Sequence, residues 1–376
     1  MRDSRTLSPF ASPQKINALL WAVLGCAILP CGCAPETTFG NEPEVGGSTS
    51  AGSAFGQEFA GQYPWAEKDL RAGGKVRRER IETDGGESNL KRGLGAVAAG
   101  EYDDALQDFE RAIEDNPRLT TAYLGAGEIY QRQGDYAGAE DRYGRAVRLE
   151  PENFEAQYGH GLALQFLSRL SESVGAYLRA LVIRPDDFSA NLNLGTAYLQ
   201  LGEPAQGLSF ARRAVDLDST STAARINLGA IFSAMGRHDD AVMEYQQASE
   251  LTELSAPLLL NLAESLGKTG RYGEMVNTLE QLVQAKPTAI GYERLGMGLF
   301  RMKRYPESLS AFRKAVEIDP NHFPALNGIG VCLANQYEFS GREDEMARKE
   351  AASAWRRSLQ IERGQARILE LLTRYQ

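Results

Sequence analysis

At 376 residues the chain has room for two ordinary domains or one elongated one, and its 43% hydrophobic and 24% charged content is that of a folded soluble protein. With 41 basic against 50 acidic residues the formal net charge is −9, and no basic face stands out of the kind that phosphate contacts need. The balance therefore argues against a nucleic-acid binder.

In chain order, the first segment is basic and then apolar. Arg2, Arg5 and Lys15 stand against Asp3, and an apolar run from Ile16 to Leu29 follows, broken only by Asn17. A positive flank, a short apolar core and small residues behind it match a secretory signal. As a helix the run rises about 21 Å, short of the ~30 Å hydrocarbon core, so it is a poor spanning segment. Val23-Leu24-Gly25-Cys26 resembles the lipobox of bacterial lipoproteins, which implies that Cys26 is lipidated and becomes the new N-terminus. Gly32-Cys33 is the alternative site, and an ordinary leader or uncleaved anchor stays open beside both. Cys26, Cys31 and Cys33 have no histidine nearby and fall short of the four ligands of structural zinc, so no metal or cofactor is expected. Cys332 stands alone in the rest of the chain, so no disulfide framework holds the folded part.

Residues 1–33 thus read as a signal or lipoprotein leader and 34–85 as a disordered linker. The linker is rich in Gly, Ser, Thr, Glu and Pro, and such a stretch buries too little to offset its ordering entropy. Phe55, Phe59, Tyr63 and Trp65 form an aromatic cluster within it.

From Gly86 onward the chain repeats. Small residues recur at Gly93, Gly127, Gly161, Gly195, Gly229, Ala263, Gly296 and Gly330, spaced 34 residues apart with one interval of 33. A second small set follows at Ala112, Ala146, Ala180, Ala214, Ala248 and Ala315, with Leu282 and Ser358 as the departures. Bulky residues precede it by three: Phe109, Tyr143, Tyr177, Tyr245, Leu279, Phe312 and Trp355, with Ala211 in the fourth repeat. Proline, which cannot continue a helix, recurs at Pro117, Pro151, Pro185, Pro287 and Pro320. Turn glycines fall at Gly100, Gly134, Gly202, Gly236 and Gly270.

This pattern resembles the tetratricopeptide repeat. The resemblance implies an all-α fold: a right-handed superhelical solenoid of about eight helix–turn–helix repeats plus a C-terminal capping helix. The repeats are expected at 86–119, 120–153, 154–187, 188–221, 222–255, 256–288, 289–322 and 323–363, with the cap at 364–376. Met275 and Leu282 put extra bulk at usually small positions of the sixth repeat, so its packing is expected to change. The eighth carries about nine extra residues around 338–350, as a lengthened helix or loop.

In this family the first helix of each hairpin lines a concave groove. Carried over by position, the groove would present Tyr158, Phe166, Arg132, Lys268 and Arg301, and the inventory suits an apolar or helical peptide better than a two-carboxylate clamp. Asparagines at the sixth position of three consecutive repeats, Asn193, Asn227 and Asn261, resemble the ladder with which O-linked N-acetylglucosamine transferase holds extended peptides. An amide both donates and accepts, so it can pair with a peptide backbone regardless of sequence. The same asparagines could instead satisfy polar groups between adjacent hairpins.

Catalysis finds no motif. There is no phosphate loop, nucleophile elbow or zinc-helix signature, and His160, His238 and His322 fall at unrelated repeat positions. Cys332 is expected to be an inert buried thiol. The function that follows is a non-catalytic protein–protein interaction scaffold, tethered as an envelope lipoprotein facing the periplasm or exterior. The alternatives are a pilotin-like assembly factor for a secretin or pilus machine, and a cytoplasmic adaptor or regulatory subunit of a separate enzyme. Oligomeric state does not follow from the sequence.

Overall fold

The computed structural model describes residues 86–251 and 255–376, and every regular element among them is an α-helix. Cys26, Cys33 and the linker lie outside the described residues. The chain divides into two compact units, with the boundary between Gly202 and Glu203. That boundary falls in the turn of the fourth repeat, the repeat whose bulky position holds Ala211.

The first unit contains α1 (Glu87–Ala99), α2 (Tyr102–Asp115), α3 (Thr120–Arg132), α4 (Tyr136–Leu149), α5 (Phe154–Phe166), α6 (Leu170–Ile183) and α7 (Phe188–Gln200). The second contains α8 (Pro204–Leu217), α9 (Thr222–Ala234), α10 (His238–Leu251), α11 (Ala256–Lys268), α12 (Tyr272–Ala285), α13 (Ala289–Arg301), α14 (Tyr305–Ile318), α15 (Phe323–Phe339), α16 (Glu345–Ile361) and α17 (Ala366–Tyr375). Within each unit, helices adjacent in sequence pack on one another as antiparallel neighbours joined by short turns. No described helix is long and apolar enough to cross a membrane.

The ends of the helices follow from local chemistry. Side chains of Asp135, Asn153, Asp187, Ser221, Thr288 and Asp344 accept the backbone N–H three residues on, satisfying a donor that the first turn leaves free. Proline stands two residues beyond α2, α4, α6, α12 and α14. After α8 it is replaced by Ser219, and there Asp218 closes the turn by accepting from the Thr220 N–H at 3.0 Å and its hydroxyl at 2.7 Å. Those bonds hold the Asp218 carboxyl below its usual range. Between the two helices of a repeat one residue must be left-handed. Gly134 (φ 78°) supplies this easily, whereas Ser168 (φ 59°) and Lys303 (φ 63°) take the same place in the third and seventh repeats without glycine's freedom.

The core is a series of rings clamped between glycines. A Cβ on Gly93 or Gly125 would stand 2.8 or 2.6 Å from the Phe109 ring, and one on Gly127 or Gly159 3.1 or 2.5 Å from Tyr143. Phe312 is held in the same way between Gly296 and Gly328. Each of these three rings therefore contacts the first helix of its own hairpin and that of the next. This is why one hairpin cannot bury its apolar face by itself.

In the sixth repeat the extra bulk is buried rather than expelled: Met275 is 6% exposed and Leu282 1%. Glycines have shifted to receive it. A Cβ on Gly267 would lie 3.1 Å from the Met275 sulfur, and one on Gly298 would lie 2.9 Å from Val276 Cγ2. In the eighth repeat the added residues lengthen both helices, so that α15 and α16 have 17 residues each against 13 and 14 in the hairpin before. The amphipathic α17 buries Ile368, Leu371, Leu372 and Tyr375 against this hairpin, and the Tyr375 hydroxyl donates to Glu338 Oε1 at 3.0 Å. Cys332 is 3% exposed beside the Ser308 hydroxyl at 3.4 Å, and burial pushes its thiol up to about 12, so the reactive thiolate is not formed at neutral pH.

Candidate functional site on the first helices

In the first unit the side chains expected in the groove engage one another. Tyr158 on α5 is half-buried, its ring parallel to Phe154 at 5.8 Å and tilted against Tyr177 at the same distance. Its hydroxyl accepts from Asn193 Nδ2 on α7 at 2.9 Å, so a turn of one repeat is tied to the next through an amide and a phenol. Beside them the Tyr177 hydroxyl donates to Gln165 Oε1 (2.9 Å), and Gln165 Nε2 donates to Gln200 Oε1 (2.8 Å). Burial raises the Tyr177 hydroxyl well above its usual pKa, which keeps it a donor.

Phe166 and Arg132 occupy one position in successive repeats and stack by one rule. Phe166, 52% exposed, lies parallel to Tyr136 with ring centroids 4.2 Å apart. Arg132 places its guanidinium 5.2 Å from the centre of the Tyr102 ring and donates to Glu128 Oε1 at 2.8 and 3.1 Å. The signal was legible as a tyrosine opening one hairpin's second helix and a planar group thirty residues later.

His160 is not isolated as its sequence neighbourhood suggests. The fold brings Glu140, from the preceding hairpin, to 3.3 Å from Nε2, and Arg169 meets the same carboxylate oxygen at 3.1 Å. Burial lowers the His160 pKa, so the ring is neutral at neutral pH.

The second unit holds the remaining predicted residues. Asn227 on α9 is buried, Asn261 on α11 is half-buried, Lys268 at the end of α11 is exposed, and Arg301 at the end of α13 is half-buried. Glu293 stands at a groove position of the seventh repeat, and its neighbour Arg294 has no motif in the sequence to mark it. Glu293 on α13 is 5% exposed, and burial raises its carboxyl to about 7, opposed only by Arg294, whose Nε stands 3.4 Å away. Arg294 follows Asn261 by one repeat length, a register that the alternation of types concealed.

Family models described as tetratricopeptide repeat match residues 90–141, 124–188, 158–222 and 192–256 in overlapping windows, then 256–288 and 289–322. The chain belongs to the tetratricopeptide-repeat family. Tetratricopeptide-repeat proteins are in general protein-interaction scaffolds, and the fold is typically non-catalytic. Among curated proteins none matches the sequence. Solved structures similar in fold include a tetratricopeptide repeat protein from Parabacteroides merdae (17% identity, 66% of this chain and 99% of that one, TM-score 0.48). Another is pilF of Pseudomonas aeruginosa (18% identity, 56% of this chain and 96% of that one, TM-score 0.47). A third is YrrB, described as having an unusual peptide-binding site (19% identity, 53% of this chain and 99% of that one, TM-score 0.44).

Proposed function

We propose that this tetratricopeptide-repeat protein is a non-catalytic scaffold that holds an extended segment of a partner protein on its first helices, and that a lipid on Cys26 (or Cys33) tethers it to a membrane of the cell envelope. The division of labour within each hairpin supports the first part. Rings such as Tyr143 and Phe312 are consumed by the core, whereas Tyr158, Asn193, Asn261 and Phe166 remain partly exposed on first helices and carry both apolar and amide chemistry. An amide that can donate and accept suits a peptide backbone, and a stacked ring suits an apolar side chain.

A pull-down from envelope extract with the full chain should recover a partner that Asn193→Ala, Tyr158→Phe and Phe166→Ala, all in the first unit, weaken together by about tenfold or more, without loss of helicity. Undiminished recovery by a folded triple variant would remove the groove from consideration. The tether has its own measurement. Intact mass of the protein from its native host should show cleavage before Cys26 or Cys33 and added acyl chains, which bury roughly 0.8 kcal/mol per CH₂. An unmodified Met1 terminus ends that part.

A further inference from the structure

The second helix of each hairpin carries a stripe of four residues, spaced by four, three and four, on the side away from its ring. On α2 these are Asp103, Gln107, Glu110 and Glu114, and on α10 Asp239, Met243, Gln246 and Glu250. On α6 they are Ser171, Gly175, Leu178 and Val182, and among the described second helices only α6 has no charge at these places. Val182 is 82% exposed, the most open large hydrophobic side chain among the described residues, and Leu178 is 37% exposed. Apolar groups this open on a charged surface mark a place where something docks.

The stripe is ordered along the helix, small in its first half and large in its second. A Cβ on Gly175 would find only Arg179 Nη1 within 4 Å, at 3.5 Å, so the surface there is a shallow dip. Charge is ordered as well. Glu172 stands exposed in the first turn, and Arg179, also exposed, follows two turns later with its Nε donating to Gln157 Oε1 at 2.9 Å. Consider α6 laid end for end against a copy of itself, about a midpoint between Ala176 and Tyr177. Leu178 then meets the dip at the copy's Gly175, Val182 covers the copy's Ser171, and Arg179 comes within half a turn of the copy's Glu172. The neighbouring α4 borders this face, because Arg169 just before α6 meets its Glu140 at 3.1 Å. It obeys the same order, with Asp141 ahead of Arg145, so each would find its opposite charge on the copy. On α2 or α10 the arrangement would set Asp103 against Glu114, or Asp239 against Glu250, which is acid against acid.

We infer that the face made by α4 and α6 is where two copies of this chain pair, related by a two-fold axis across the middle of α6. The occupant is a second copy because both the volumes and the charges of this face complement the same face reversed. Two helices of 14 residues, about 21 Å long and roughly 8–10 Å apart, offer on the order of 400 Å² per copy. That is about half of what a stable interface buries on each partner, so the pair is weak and reversible. It uses second helices only and leaves Tyr158 and Asn193 on the first helices open to a partner protein.

Analytical ultracentrifugation of the full chain in reducing buffer, from low to high micromolar concentration, should show a monomer–dimer equilibrium. Arg179→Glu and Glu172→Arg each bring like charges together and should each weaken pairing by about tenfold or more. Mixed in equal amounts, these two variants should pair with each other about as tightly as wild type does with itself, because every like pair becomes an opposite one. Val182→Ser should weaken the wild-type pair several-fold, and since it alters only an exposed side chain it decides the question if either charge variant loses helicity. A wild type that stays monomeric throughout overturns the inference. So does a dimer that these substitutions leave unchanged, or a mixture of folded charge variants that fails to pair.

Discussion

The sixth and seventh hairpins meet the same packing demand with different side chains. In the seventh, the Phe312 ring is pressed between Gly296 and Gly328. In the sixth, Leu279 stands in the ring's place at 0% exposure, Ala263 replaces the first glycine, Met275 adds volume that Gly267 and Gly298 admit, and Leu282 adds volume beside Gly291. A small residue is therefore required wherever a neighbour is large, not at a numbered place in the repeat. Close-packed interiors demand that local volumes sum correctly, and many combinations satisfy that.

The largest expected effect comes from emptying the ring site. Phe312→Ala should cost about 3–5 kcal/mol in denaturant unfolding. Leu279→Phe sharpens the comparison. It should not convert the sixth hairpin to the seventh's packing, because Ala263 occupies the space, and overpacking should cost about 1–3 kcal/mol. A stabilised Leu279→Phe would mean that volume does not govern this hairpin.

A second difference is electrostatic and belongs to the seventh hairpin. Glu293 keeps its proton to about pH 7 in the folded chain but loses it near 4.5, the ordinary value, when unfolded. Between those values the folded state holds the extra proton, so stability falls as pH rises, by roughly 3 kcal/mol at most over the window. Melting curves between about pH 5 and pH 8 should show this slope in the wild type relative to Glu293→Gln. His160, His238 and His322, all lowered by burial, bias stability the other way, and that contribution is common to both proteins. Parallel curves for the two proteins would mean that the Glu293 proton is not held.

Smaller effects test the close approaches and the turns. Gly328→Ala places a methyl carbon 2.5 Å from Phe312 ring atoms and should cost about 1–3 kcal/mol. Ser168→Gly and Lys303→Gly relieve left-handed backbone at positions where Gly134 and Gly270 already stand, and each should stabilise by about 0.5–1 kcal/mol. Thermal melts that fall instead would assign a packing role to the Ser168 or Lys303 side chain.

Much of this architecture was legible before any coordinate. The recurring glycines, rings and prolines each mark a physical event (a close approach, a filled gap, a forced break), and the helices begin and end around them. The candidate site was legible only as positions. Tyr158 and Asn193 were both named from their register, yet nothing in the sequence states that one donates to the other across 35 residues. Arg294 shares a register, not a residue type, with Asn227 and Asn261, so no run of one residue type marks it.

By itself the sequence determined periodicity, and with it the number and direction of the hairpins, because helix breaks and small-residue contacts are local demands written at fixed spacing. Which polar groups are joined and which carboxyl keeps its proton were decided only by tertiary structure. Hydrogen bonds and desolvation depend on distances of a few ångströms between residues a whole repeat apart, and those distances exist only once the hairpins have stacked.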